Sequence, residues 1–223
     1  NKRRDQYGGN AENRARFPAR VLKAVKEAVG KDLAVLAKIN VADGIPKGAT
    51  ATDGAITAQI LEQAGADMLV LSGGRNIEST WFMFGSTVSQ EGIARVLKSP
   101  ISRLIVKATT LLKPKKIIFQ EMYFHEYSMQ IRKAVSLPLA YLGGVKSLAN
   151  AEKAIADGFE CVVMARSLVH DEALVNKFKS GEITRSSCDN CNKCVNYIHH
   201  PGGTWCIKRP ANDPTINEIP ASQ

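Results

Sequence analysis

The sequence predicts an α/β fold: four parallel strands alternating with helices, followed by a cysteine-bearing C-terminal segment. Three observations predict it. Short apolar runs recur at Leu33–Ile39, Met68–Leu71, Leu137–Leu142 and Cys161–Met164, each of a length suited to a buried strand. Stretches with helical apolar spacing separate most of them, and such alternation implies a parallel sheet with crossover helices. Four of the five cysteines then crowd between residues 188 and 206, past the last helical stretch.

The elements follow in order. Residues 1–12 are polar and glycine-containing, hence a loop, with Asn10 placed to cap a helix. From Asn13 to Val29, Phe17, Val21, Leu22, Val25 and Val29 keep helical spacing, and Gly30 ends the run. The first strand carries one interruption, Lys38. After a loop rich in Gly and Pro, Thr52 is expected to cap a second helix with Ile56, Ile60 and Leu61 inward, ending at Gly65. The second strand runs into Ser72-Gly73-Gly74. Residues 75–121 read as a long excursion with one or two helices near Gln90–Leu112. Tyr123–Val135 is a predicted helix, as are Ser147–Asp157 and Glu172–Lys179. A proline-bearing, extended tail begins at Lys208. The expected division is a sheet-and-helix domain over residues 1–182 and a cysteine segment with its tail over 183–223.

Composition narrows the function classes. The formal charge of +9 invites nucleic acid as a partner, yet the basic residues are spread along the chain. The short clusters Lys2–Arg4 and Lys113–Lys116 lack the interleaved aromatics that stack on bases, so no nucleic-acid role is expected. No apolar run reaches the roughly 18 residues of a membrane span. The first residues, Asn-Lys-Arg-Arg-Asp, carry no secretory pattern and are expected to be the cut edge of a longer protein. Clustered cysteines argue for metal ligation over a disulfide framework, and so for a reducing, cytoplasmic compartment. Cys161, inside an apolar run, is expected to be a packed thiol without chemistry.

Residues Pro138 to Arg166 carry the most chemistry. Strand, Gly143-Gly144, helix, strand and then Arg166 is the expected order. Adjacent glycines past a buried strand let backbone N–H groups approach an anion, and an arginine after the next strand can fork onto the same phosphate. The C-terminal ends of parallel strands are where α/β folds hold ligands, so a phosphate-bearing cofactor is expected there. The cysteine segment reads Cys188-x₂-Cys191-x₂-Cys194-x₁₁-Cys206. Its close steps place thiolates within reach of one metal centre, leaving iron–sulfur, four-cysteine zinc and no metal at all open. His199 and His200, between the third and fourth cysteines, are expected to face solvent. His125 and Tyr127 are expected on a helix face, as packing or surface residues.

Two segments carry a family resemblance. Asn1-Lys-Arg-Arg-Asp-Gln-Tyr-Gly-Gly-Asn-Ala-Glu-Asn-Arg-Ala-Arg-Phe resembles the stretch after the fourth strand in the Old Yellow Enzyme family of flavin reductases. Leu142-Gly-Gly-Val through Met164-Ala-Arg-Ser-Leu resembles that family's FMN-phosphate region near strands seven and eight. Ala37-Lys-Ile-Asn and Leu71-Ser-Gly-Gly resemble its fifth and sixth strand ends. The cysteine segment is similar to that of the branch containing 2,4-dienoyl-CoA reductase, trimethylamine dehydrogenase and bacterial NADH:flavin oxidoreductases.

The resemblance implies that the chain is the second half of a (β/α)₈ TIM barrel. It implies an FMN flavoprotein that takes hydride from NAD(P)H and reduces an activated alkene, an enone or unsaturated thioester. Gly143, Gly144, Ala165 and Arg166 would grip the FMN phosphate. Lys38 would face the pyrimidine edge of the flavin, where relatives often carry arginine. Ser72, Gly73 and Gly74 would line the substrate side, with Arg75 beyond them for an anionic substrate or nicotinamide phosphates. Cys188, Cys191, Cys194 and Cys206 would hold a [4Fe–4S] cluster, although relatives usually place three residues between the second and third cysteines and this chain places two. The family's catalytic His/His or His/Asn pair and its proton-donating tyrosine would lie upstream of Asn1, which leaves this chain alone inactive. Tyr7, Gly8, Gly9, Glu12, Asn13 and Arg14 would be structural. Two other readings stand beside this one: a non-redox barrel enzyme reusing the same phosphate site, and a truncated product acting only as a binding or structural partner. A half barrel exposes two strand edges and an apolar face, so self-association is expected.

Overall fold

A computed structural model of the protein describes residues 1–76, 118–198 and 203–208, with scattered positions between 78 and 108. The helices expected near Gln90–Leu112, His199, His200 and most of the tail lie largely or wholly outside the described residues. The chain divides into two compact units. The first comprises residues 1–83, 121–145 and 149–163; the second comprises 84–120, 146–148 and 164–223.

The first unit holds a parallel sheet of β1 (Leu36–Asn40), β2 (Met68–Ser72), β3 (Leu139–Leu142) and β4 (Cys161–Val163), in sequence order. Helices α1 (Ala11–Val29), α2 (Ala51–Gln63) and α3 (His125–Arg132) belong to it, as does nearly all of α4 (Leu148–Ala156). The core lies on one sheet face. Leu69 and Leu71 of β2 and Leu139 and Tyr141 of β3 are register neighbours there, all fully buried along with Phe124, Ile131, Ala58 and Phe159. The opposite face is defined by the pairs Leu36–Met68, Lys38–Val70 and Asn40–Ser72, continuing through Ala140, Leu142, Cys161 and Val163. It is partly open, with Leu36 53% exposed and Lys38 and Cys161 exposed. β1 and β4 are the sheet's edges among the described residues.

Local chemistry explains the boundaries. Asn10 caps α1 by accepting from the Asn13 N–H at 3.0 Å, so the helix begins at Ala11, two residues earlier than expected. Its residues Phe17, Val21 and Val25 are not core; they are 62%, 48% and 42% exposed, while Ala11, Ala15 and Leu22 are buried. Helical spacing identifies an apolar face but not what covers it. The α2 cap is Thr50, not Thr52: Thr50 Oγ1 accepts from the Asp53 N–H while Asp53 accepts from the Thr50 N–H, a reciprocal capping box. β1 starts at Leu36 because Leu33 lies in the exposed turn before it, and Asp67 anchors the entry by accepting from the Val35 N–H at 2.6 Å. Glu62 fixes the entry to β3 in the same way, with Oε1 accepting from the N–H groups of Ser136 and Leu137, both at 2.8 Å.

The second unit contains the short helices α5 (Arg166–His170) and α6 (Leu174–Ser180), then a 3₁₀ turn at Lys193–Tyr197 within the cysteine segment. α5 is absent from the sequence-based reading, which extended β4 to Met164 and placed Arg166 at its end. The strand closes at Val163, and Arg166 opens a helix. An antiparallel bridge between Ser147 and Arg185, with Ser186 N–H donating to the Lys146 carbonyl, holds the segment's entry. Tyr197 and Trp205 stack at 4.2 Å between ring centroids across the segment.

Candidate functional site

The strand ends of the first unit carry one group of predicted residues. Gly143 and Gly144 follow β3 directly. Gly144 has φ +78°, a conformation that favours glycine. Gly143 is required for a different reason: an added Cβ would fall 2.5 Å from Tyr141 Oη and 3.1 Å from Phe124 Cβ. The Gly143 carbonyl accepts from the Tyr123 N–H at 3.1 Å. Burial pushes the Tyr141 phenol far above its usual range, so it stays neutral. A phosphate fits a turn of this kind because no side chain stands between its amides and a ligand.

Ser72 ends β2, 8% exposed, on the same sheet face as Lys38 and Asn40. Lys38 sits at the middle of β1, two residues before its end, exposed on the open face. Gly73 is a packing glycine: a Cβ there would meet Phe124 Cζ at 2.8 Å. Gly74, with φ +83°, makes the turn, and its carbonyl accepts from Asn40 Nδ2 at 3.0 Å. Arg75 is paired with Glu78 at 2.8 Å. The loop is braced by Ser79 Oγ, which accepts from the Arg75 N–H and donates to the Asp43 carbonyl, both at 2.6 Å.

Asp5–Arg14 forms a brace around the start of α1. Arg14 donates to the Gly9 carbonyl and, at 2.7 Å, to Asp53 of the α2 capping box. Arg20 donates to the Tyr7 hydroxyl, and a Cβ on Gly8 would collide with the Arg3 carbonyl. These residues bind the first helix to the second. One expectation fails in this unit. Cys161 is exposed, not packed, because it is the first residue of an edge strand and its register places it on the open face. His125 is a packing residue: its Nε2 lies 2.6 Å from Asp157 Oδ2, which Lys153 also pairs at 2.9 Å. Hydrogen bonds first from Lys153 and then from His125 hold the Asp157 carboxyl below its usual range.

The second unit gathers the other group. Cys188, Cys191, Cys194 and Cys206 all line one small pocket, together with Arg166 and His170. Spacing brought the first three together; only the fold returns Cys206. All four are unpaired thiols. Burial pushes the Cys194 thiol up, and the neighbouring sulfurs of Cys188, Cys206 and Cys191 add to the rise, which Arg166 opposes. Burial likewise raises Cys191 and Cys206. Among the described residues no three His, Cys, Asp or Glu side chains are drawn onto a single ion-binding point. The donor set nevertheless fits a soft metal: four cysteines line one pocket, with cationic Arg166 and Lys208 in the same lining to balance thiolate charge.

Arg166 Nη1 donates to the Asn192 side-chain oxygen at 2.5 Å and to the Phe84 carbonyl at 2.8 Å. Asn192 is buried, adopts φ +58° and lies between Cys191 and Cys194. The predicted phosphate ligand is thus also a structural partner of the cysteine loop, which no sequence signal revealed. Ala165 caps α5 without a side-chain bond.

Residues 1–121 match the NADH:flavin oxidoreductase / NADH oxidase family. A 4,4'-dithiodibutanoate disulfide reductase from Rhodococcus erythropolis is 38% identical over 215 residues, covering 95% of this chain and 52% of the relative.

The chain belongs to this family. An NADH oxidase from Thermoanaerobacter brockii is 28% identical, covering 86% of this chain and 25% of the relative. Among solved structures, a 2-naphthoyl-CoA reductase matches with a TM-score of 0.60 and 25% identity, over 89% of this chain and 26% of that one. The old yellow enzyme homologue of Zymomonas mobilis matches with a TM-score of 0.53 over 90% of this chain and 47% of that one; at 18% identity it shows the fold alone. The four parallel strands are therefore part of a (β/α)₈ barrel. The chain spans about half the length of its R. erythropolis relative and about a quarter of the T. brockii one. No described helix is long and apolar enough to cross a membrane.

Proposed function

We propose that this chain is the second half of an FMN-dependent NAD(P)H oxidoreductase barrel, supplying the phosphate and pyrimidine side of the flavin site. The supporting observation is the Gly143-Gly144 turn at the C-terminal end of β3 in a chain of the NADH:flavin oxidoreductase family. FMN, when bound, supplies hydride transfer from the nicotinamide to an acceptor. The chain's own residues bind and tune. The Gly144 turn offers backbone amides to the phosphate; the permanent positive charge of Arg166 is proposed for the same anion from the family resemblance alone. Lys38, on the open sheet face, offers a cation to a flavin edge that becomes negative on reduction. Ser72 supplies a hydroxyl on that same face, at the strand's end. On this reading the carbonyl-holding His/His or His/Asn pair and the proton-donating tyrosine would belong to the other half, and this chain by itself is proposed to be inactive. Soluble small molecules, not nucleic acid or membranes, are the proposed partners, and the proposed compartment is the cytoplasm.

The proposed acceptor is an activated alkene, an enone or an unsaturated thioester. A second acceptor class, an organic disulfide, is supported by the 38% identical disulfide reductase. The four cysteines are proposed to hold a [4Fe–4S] cluster that passes electrons to the flavin, supported by their common pocket.

The test is an anaerobic absorption spectrum of the protein purified with its upstream half, followed by NADH oxidation with an enone or with 4,4'-dithiodibutanoate. Flavin bands that Arg166→Ala weakens, with hydride transfer slowed less than flavin retention, are expected. A protein that holds no flavin even with FMN added overturns the proposal. Turnover of the disulfide but not the enone moves the substrate class without touching the flavin site.

A further inference from the structure

Two side chains in the cysteine pocket have no role in the function described so far: His170 and Ser187. His170 ends α5 and is only 7% exposed. Its Nδ1 lies 3.3 Å from Cys206 Sγ and its Nε2 lies 2.8 Å from Ser187 Oγ. Ser187 immediately precedes Cys188, so the ring links the first and last cysteines of the set. A ring held at both nitrogens cannot turn without losing one of its bonds.

The chemistry of the partners fixes which way the bonds run in a loaded site. A metal-bound thiolate sulfur can only accept, so the nitrogen facing it must carry the proton. Nε2 of a neutral ring then accepts, and Ser187 Oγ–H is the donor available to it. Ser187 thereby selects the tautomer that points N–H at Cys206. A second donor reaches the same sulfur from the backbone: the Lys208 N–H lies 3.4 Å from it. That bond survives any side-chain change, so the contribution of His170 can be isolated.

We propose that His170 is a positioning residue for Cys206, oriented by Ser187, which sets the sulfur's direction and, in the loaded protein, withdraws charge from it. Hydrogen bonds to cluster sulfurs are among the levers that set an iron–sulfur potential, because they favour the more negative, reduced state. The inference rests on the iron–sulfur reading of the four cysteines.

The experiment compares wild type, His170→Leu, His170→Asn and Ser187→Ala as anaerobically purified proteins. Iron and acid-labile sulfide are measured first, then the midpoint potential of the cluster by reductive titration followed by electron paramagnetic resonance. His170→Leu is expected to keep its iron and shift the potential downward. His170→Asn, whose amide N–H stands near the place of Nδ1–H, is expected to restore most of the shift. Ser187→Ala, which touches no sulfur, is expected to shift it downward by less. Iron lost from His170→Leu but kept in His170→Asn also supports a positioning role. An iron-loaded His170→Leu with an unmoved potential overturns this inference alone. Should both His170 variants lose iron, an unmoved potential in Ser187→Ala does the same. A wild-type protein that carries zinc or no metal overturns the cluster reading and this inference with it.

Discussion

The turn after β3 offers a stability test whose size follows from the packing. In Gly143→Ala the new methyl would lie 2.5 Å from Tyr141 Oη, 3.0 Å from its Cζ and 3.1 Å from Phe124 Cβ. Carbon atoms pack at about 3.5–4.0 Å, so something must move. Tyr141 has little room to do so: it is fully buried, its ring packs on Phe159 at 5.2 Å between centroids, and its hydroxyl donates to the Gly143 carbonyl at 3.4 Å. Overpacking of this kind costs about 1–3 kcal/mol. Tyr141→Phe alone costs roughly 1 kcal/mol for the lost hydrogen bond. It also removes the atom nearest the new methyl, and the remaining contacts, at 3.0 Å and beyond, then need a shift of only a few tenths of an ångström. The double variant should therefore be more stable than the sum of the single changes, by about 1 kcal/mol, within the range of contacting pairs. Urea unfolding of the four proteins, followed by circular dichroism, measures this coupling as a displacement of midpoints at constant slope. Strictly additive losses would refute the claim that Tyr141 excludes a side chain from position 143. Flavin titration of the same set separates two causes of weakened binding. If Tyr141→Phe restores affinity to Gly143→Ala, the distorted turn was at fault; if not, the methyl itself blocks the phosphate.

Further outcomes are expected elsewhere. Cys191→Ala should abolish bound iron as measured by metal analysis; unchanged content would remove the cysteine segment from any metal role. Thr50→Ala should cost about 0.5–2 kcal/mol in thermal unfolding by breaking the α2 capping box. Asp67 gives a pH signature. Its carboxyl is held below the usual range first by the Lys26 ammonium, at 2.6 Å, and then by the Val35 N–H. A lowered folded value means its contribution is complete above the unfolded pKa of about 3.9 and is lost as pH falls further. Asp67→Asn should therefore narrow the stability gap between pH 5 and pH 3 in urea titrations, whereas an identical gap in both proteins would exclude this linkage.

Lys38, Ser72 and the Gly143-Gly144 pair were legible as strand and strand-end features, because a buried parallel strand announces itself as a short apolar run with glycine after it. The α2 cap was misplaced by two residues because Thr50 and Thr52 offer the same hydroxyl; only the reciprocal bond with Asp53 distinguishes them. Phe17, Val21 and Val25 kept helical spacing yet stand exposed, since periodicity records an apolar stripe and says nothing of its neighbour. Cys161 was misread for a related reason: an apolar run does not say which strand lies at an edge.

By itself the sequence determined the alternation of strands and helices, the glycine turn after β3, the cysteine spacing and the family. These are properties of neighbouring residues, and local spacing and turn chemistry carry them. The tertiary structure alone decided that Cys206 returns to Cys188, Cys191 and Cys194, that Arg166 holds Asn192, and that His170 stands between Cys206 and Ser187. Those contacts join residues 12 to 36 positions apart in the chain, and no local pattern specifies them. They exist because the fold closes a loop around one pocket, where buried polar groups must find partners in each other.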